Sequence, residues 1–204
     1  MRLALVLSMS LAAAGCAGSL LGSSAEPPEV YRLEIAEAAG GAERLPLAVA
    51  VARPRAAASL DTARIAVVQP DSRFDYFAGV RWSEPAPQML QALIVRTLQS
   101  DGRYEVVVAA PSRVPADLLL DVELRRFEAA YAPGVELPTV RVEFQATLVD
   151  TRRARRVSSF VASAEAVAGS NRRSALLEAF ELATGESVRA LSAWLRDTQP
   201  TVAD

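Results

Sequence analysis

The sequence predicts an α+β domain, a mainly antiparallel sheet covered by two long amphipathic helices, folded as a single domain. Three observations predict it. Apolar and polar residues alternate through much of the second half, as in Val140-Arg141-Val142-Glu143-Phe144, the mark of a half-buried strand. Two segments instead space their apolar residues by three and four, the mark of a helix with one buried stripe. The chain has 204 residues, is 51% hydrophobic and holds one cysteine, so no disulfide closes within it and a single core must carry its stability.

Taken in order, Tyr31–Ile35 alternates and reads as a first strand or edge segment. Gly40-Gly41 marks a loop. The apolar run Leu45–Ala52 reads as a buried strand ended by Arg53-Pro54, with Ala57–Asp61 as a connection. Arg64–Gln69 is a strand stopped by Pro70-Asp71, and the aromatic stretch Phe74–Trp82 is extended. At Ser83-Glu84-Pro85 the period changes: a capping residue and a first-turn proline open a helix over 85–101. Met89, Leu90, Leu93, Ile94 and Leu98 form its stripe, and Gly102 stands at the C-terminal cap. Tyr104–Val108 is the next strand. A β-meander follows: Leu118–Leu124 with a slip of alternation at Arg126-Phe127 that predicts a bulge, then Val140–Leu148, a polar turn over 150–156, and Val157–Ala166. The closing helix runs from Asn171 to Arg196, and Gly185 within it suggests a bend.

Composition narrows the chemistry. All 22 basic residues are arginine, and there is no histidine. Ser-His-Asp and Ser-Lys catalysis, Schiff-base lysines, a P-loop lysine and histidine metal ligands are therefore absent. Carboxylates remain, but most of them alternate with apolar residues, as in Asp121-Val122-Glu123-Leu124, and read as the wet face of a strand. The sequence thus points away from an enzyme, with no catalytic residue, metal site or cofactor assigned. A net charge of −2 gives no reason to expect nucleic-acid binding.

The N-terminus carries the sharpest signal. Met1-Arg2 precedes the apolar run Leu3–Ala14, the layout of an export signal. That run is too short for a helical span, which takes about 20 residues. Ala13-Ala14-Gly15-Cys16 resembles a bacterial lipobox, in which the cysteine sulfur is lipidated and the chain is cut just before it, here between Gly15 and Cys16. Ala13 departs from the usual leucine. An ordinary cleaved signal and a structural cysteine are the competing readings. A reactive thiol lacks the histidine that would activate it. Residues 1–15 are then signal, 16–29 a tether reaching up to about 40 Å when stretched, 30–197 the folded domain and 198–204 a tail. Ala17, where an aspartate would resemble an inner-membrane retention signal, favours the outer membrane.

The order of lipobox, Tyr31-Arg32-Leu33, the aromatic stretch ending in Arg81-Trp82, Glu84-Pro85 with its helix, and a last helix carrying Trp194 resembles the ABC-type transport auxiliary lipoprotein family over roughly residues 30–196. The resemblance implies a periplasm-facing lipoprotein of a Gram-negative bacterium. It would be partner to an MCE-domain protein with its ABC permease and ATPase, in a system that moves phospholipids or other hydrophobic molecules. Some members assemble into rings, so a homo-oligomer is implied as well. A lipoprotein that scaffolds another envelope machine, such as cell-wall synthesis, and a carrier that encloses lipid are the other readings.

Two surfaces stand out as candidates. Arg81, Trp82 and Pro85 suit a partner or oligomer contact, since Trp and Arg dominate interface hot spots; the plainer alternative packs Trp82 in the core. Arg152, Arg153, Arg155 and Arg156 suit anionic lipid head groups, or form a solvated hairpin tip. The loop Tyr131–Pro138 is a third place where a partner would touch.

Overall fold

The computed structural model describes residues 27–36 and 43–198. Gly15, Cys16, the signal, the tether up to residue 26 and the tail from 199 lie outside the described residues. Among those described, the elements are β1 (Glu29–Tyr31), β2 (Leu45–Val51), β3 (Arg55–Ala56), β4 (Arg64–Val68), β5 (Phe74–Trp82), α1 (Ala86–Asp101), β6 (Tyr104–Ala109), β7 (Leu118–Ala130), β8 (Thr139–Asp150), β9 (Arg155–Val167) and α2 (Arg173–Asp197).

The strands form one nine-stranded sheet organised around β7. One edge of β7 pairs along its length with β8, which pairs in turn with β9. Its other edge is shared in series by β2 at Leu118–Leu120, β3 at Glu123–Leu124 and β4 at Glu128–Ala130. β6 extends the sheet beyond β2, while β5 and β1 extend it beyond β4.

This corrects the expected α+β fold class with its mainly antiparallel sheet: the sheet is mixed. β1–β5, β2–β6, β2–β7, β3–β7 and β4–β7 are parallel, and only β4–β5, β7–β8 and β8–β9 are antiparallel. The reason is physical. Alternation reports which face of a strand is wet and says nothing about direction. The meander of β7, β8 and β9 is joined by short connections that force antiparallel pairing. The earlier strands pair with partners far along the chain, and α1 carries the chain from β5 to β6 on the far side of β2.

Both helices lie on one face of the sheet, α2 over β8 and β9 and α1 over β6, and they touch each other. That face supplies Leu120, Val122, Leu124, Val142, Phe144, Ala146 and Leu148, all buried. The slip expected at Arg126-Phe127 is seen as a register shift between Leu124 and Arg126, which brings Phe127 back to the core side. The opposite face is laced with cross-strand ion pairs, Arg55–Asp121, Arg126–Glu143 and Arg141–Glu165. α1 starts at Ala86 with Pro85 as an N-cap that makes no side-chain hydrogen bond, and it ends at Gly102 with φ +71°, the left-handed cap that glycine adopts without strain.

α2 continues through Gly185. A Cβ there would meet Arg189 Nη1 at 3.4 Å and Ile35 Cγ2 at 3.6 Å, ordinary contacts. Gly185→Ala is therefore expected to raise stability by about 0.5–1 kcal/mol, because alanine loses less backbone entropy in a helix; chemical denaturation measures it.

The C-terminal ends of the helices are joined by a buried carboxylate. Asp101 is 3% exposed; it accepts hydrogen bonds from Ser192 Oγ at 2.7 Å and Arg196 Nη1 at 2.9 Å. Arg196→Ala removes the guanidinium that this buried carboxylate binds. We expect a loss of about 2 kcal/mol, read as a lowered denaturant midpoint with an unchanged slope.

Candidate functional site

The elongated sheet has two ends, and the candidate residues fall at both. At one end the β8–β9 turn carries Arg152 and Arg153 and the start of β9 carries Arg155 and Arg156, all exposed. Asp150 builds this turn. Its Oδ1 accepts the backbone N–H groups of Arg152 and Arg153, both at 3.0 Å, and its Oδ2 accepts Arg153 Nη1 at 3.1 Å. The Arg153 backbone N–H, followed by its guanidinium, holds the Asp150 carboxyl below the usual carboxylate range. Ala154 takes φ +47° at the tip. The turn is buttressed from the side: Arg152 Nη2 reaches Asp117 Oδ1 at 2.6 Å, and Asp117 Oδ2 accepts the N–H of Ala48 at 2.9 Å. The tip is thus a fixed basic surface, and its geometry is set by carboxylates that its own guanidinium and amide groups bind.

At the other end, the loop between β7 and β8 folds over the start of α2. Asn171 Nδ2 donates to Glu136 O at 3.1 Å, and Ala168 N donates to Pro138 O at 3.0 Å. Here β5 departs from the plain strand expected. Arg64 faces Arg81 while Ala66 faces Tyr76, so Phe77–Val80 bulge out opposite Ile65 alone, with Gly79 at φ +71°. The bulge opens a narrow apolar cleft of about 30 Å³ walled by Tyr31, Phe77, Val80, Tyr131, Leu176 and Leu177. Ligand pockets run to about 300–1,000 Å³, so the cleft is a slot and does not enclose a lipid. A glycine inside an aromatic run was the signal for the bulge.

Arg81, Trp82 and Pro85 do not form one surface, which corrects that expectation. Successive side chains of a strand point to opposite faces. Arg81 is exposed while Trp82 is 0% exposed. The Trp82 ring packs edge-on against Phe127 at 5.8 Å and Phe180 at 5.1 Å. Pro85 is half-buried and its carbonyl accepts the N–H of Gln88 and Met89. The three residues instead mark the corner where β5 hands the chain to α1. Trp194, from the other end of the recognised pattern, stacks on Phe160 at 5.5 Å and holds α2 to β9.

A family model described as the ABC-type transport auxiliary lipoprotein component matches residues 31–192, which is nearly all of this sheet and both helices. The chain belongs to that family. It is similar to the crystal structure of a Xanthomonas campestris protein, at 27% identity and a TM-score of 0.77, covering 83% of this chain and 95% of that one. An uncharacterized protein at 14% identity has a TM-score of 0.63 over 83% of this chain and 99% of its own. A hypothetical protein of Chlamydia trachomatis at 12% identity has a TM-score of 0.53 over 76% and 98%. These last two show the shared fold alone. Among curated proteins nothing matches. In this auxiliary lipoprotein the match runs from the end of β1 into α2, and so takes in both the arginine turn and the cleft.

Proposed function

We propose that this protein is the lipid-anchored auxiliary component of an MCE-type ABC transport system, held at the outer membrane through Cys16. In this reading it is a docking and structural partner of an MCE-domain protein with its permease and ATPase, in a route for phospholipids or other hydrophobic molecules. Residues 1–15 are removed on export, 16–29 tether the domain of residues 30–197, and the chain performs no catalysis.

Membership of the transport auxiliary family over residues 31–192 carries the reading. Two further observations support it. No helix among the described residues is long and apolar enough to cross a membrane, and the lipobox at Cys16 supplies attachment by another route.

Native electrophoresis of gently solubilised membranes tests it. The protein is expected in a complex far larger than a single copy of its chain, and that complex is expected to break down when the transporter's permease is deleted. A band unaffected by that deletion contradicts the proposal.

A further inference from the structure

Of the seven large apolar side chains exposed among the described residues, Val30, Val114, Val161 and Leu182 lie apart, but Phe74, Val135 and Val167 gather at one end of the sheet. Val167, Thr139, Ala130, Val68 and Phe74 stand in one row across the sheet, joined by successive pairings of β9, β8, β7, β4 and β5. Both ends of the row project apolar groups, with Val167 64% and Phe74 39% exposed. Four strand spacings separate them, about 19 Å. Val135, 52% exposed, sits in the loop that joins Ala130 to Thr139, directly beyond the row. One end of the sheet is therefore rimmed by three apolar knobs.

The described chain enters the sheet at the same end. β1 is parallel to β5, β5 is antiparallel to β4, and β4 is parallel to β7, so β1 runs opposite to β7. The register places Glu29 level with about Phe127, close to the Ala130 end, and the chain preceding Glu29 comes from beyond that end. A link from Arg173 Nη1 to Glu29 Oε1 at 2.8 Å fastens this entry point to the start of α2. Leu118, which faces Asp150 and the arginine turn, lies about 30 Å away along β7.

We infer that this end of the sheet, with Phe74, Val135 and Val167 at its tip, rests on the surface of the bilayer that holds the Cys16 anchor. The inference rests on the anchoring proposed above. Isolated exposed valines are ordinary on any protein surface. What carries the inference is that these knobs gather where the tether enters, so that anchoring alone brings them to the interface. Shallow insertion of apolar side chains then adds to the lipid anchor, as it does for interfacial segments. Charges at this tip are of both signs, with Arg73 and Arg172 beside Asp71, Asp75 and Glu136, all exposed. The contact is therefore apolar in origin and indifferent to anionic lipid.

One consequence concerns the arginine turn. Cys16 stands thirteen positions before Glu29, a reach of about 40 Å when stretched. Bringing Arg152, Arg153, Arg155 and Arg156 to the same membrane would invert the domain and spend about 30 Å of that reach on doubling back along the sheet. The turn faces away from the anchoring bilayer, where it is open to another protein.

The test uses the full-length acylated protein in phosphatidylcholine vesicles containing a lipid with a quencher in its head group. The Cys16 sulfur is consumed by the lipid, so Val135→Cys and Ala154→Cys each offer a single thiol for a fluorophore, at the apolar tip and the arginine turn respectively. Strong quenching at position 135 and little at 154 is expected, unchanged when phosphatidylglycerol is added. Quenching at 154 and not 135, equal quenching at both, quenching at neither, or quenching at 154 that appears only with phosphatidylglycerol each overturns the inference. Failure of the protein to enter vesicles at all strikes the anchoring proposal instead. In a second measurement, Phe74→Ser with Val167→Ser is expected to cut quenching at position 135 roughly twofold while the protein stays membrane-bound; no change contradicts the apolar contact.

Discussion

Trp82→Ala is expected to destabilise the protein by about 3–5 kcal/mol, a large fraction of the whole stability of a domain this size. Trp82 is the largest of the fully buried side chains among the described residues and closes β5 just before α1. Its ring touches Phe127 from β7 and Phe180 from α2, which also touch each other at 5.2 Å. Removing the indole empties the centre of a three-ring cluster, and the rigid strands around it collapse only partly. Trp82→Phe keeps most of the volume and is expected to cost less than half as much. Chemical denaturation followed by far-UV circular dichroism distinguishes the two. Near-equal stability of wild type and Trp82→Ala would contradict the core placement. This outcome also bears on interpretation: any loss of assembly in Trp82→Ala follows from unfolding, so Trp82 does not report on a partner surface.

Cys16→Ala is expected to move the protein from the membrane fraction to the soluble fraction. A cysteine-linked diacylglyceryl group buries two chains, each methylene contributing about 0.8 kcal/mol, and two chains give stable attachment where one does not. The apolar tip of Phe74, Val135 and Val167 is too small to hold the domain by itself at about 25 cal/mol per Å², so its contribution appears only with the anchor present. Fractionation without detergent reads the result. Retention of Cys16→Ala in washed membranes would remove the lipobox as the means of attachment.

Which residues face the core was legible in the sequence, because burial leaves a period. The strict alternation of Val140–Leu148 gave β8, the slip at Arg126-Phe127 gave the bulge of β7, and the three-and-four spacing from Met89 to Leu98 gave α1. Strand direction was not legible. Leu45–Val51 lies beside β6 and, at Val49–Val51, β7, both parallel to it, and nothing in an apolar run encodes a partner's direction. The candidate surfaces divide in the same way. The arginine turn was visible as a run of charge between two strands. The Arg81-Trp82 pair misled, because two adjacent hot-spot residues on a strand must point to opposite faces. The apolar tip was invisible, since Phe74, Val135 and Val167 are far apart in sequence and only the pairing of five strands brings them to one end.

The most direct test of the central claim is affinity purification of the tagged full-length lipoprotein from gently solubilised membranes, with mass spectrometry of the proteins and lipids that come with it. The account predicts an MCE-domain protein together with its ABC permease and ATPase, recovered from wild type and lost from Cys16→Ala. Recovery of a different envelope assembly, such as a cell-wall synthesis complex, or of the lipoprotein alone, would contradict it.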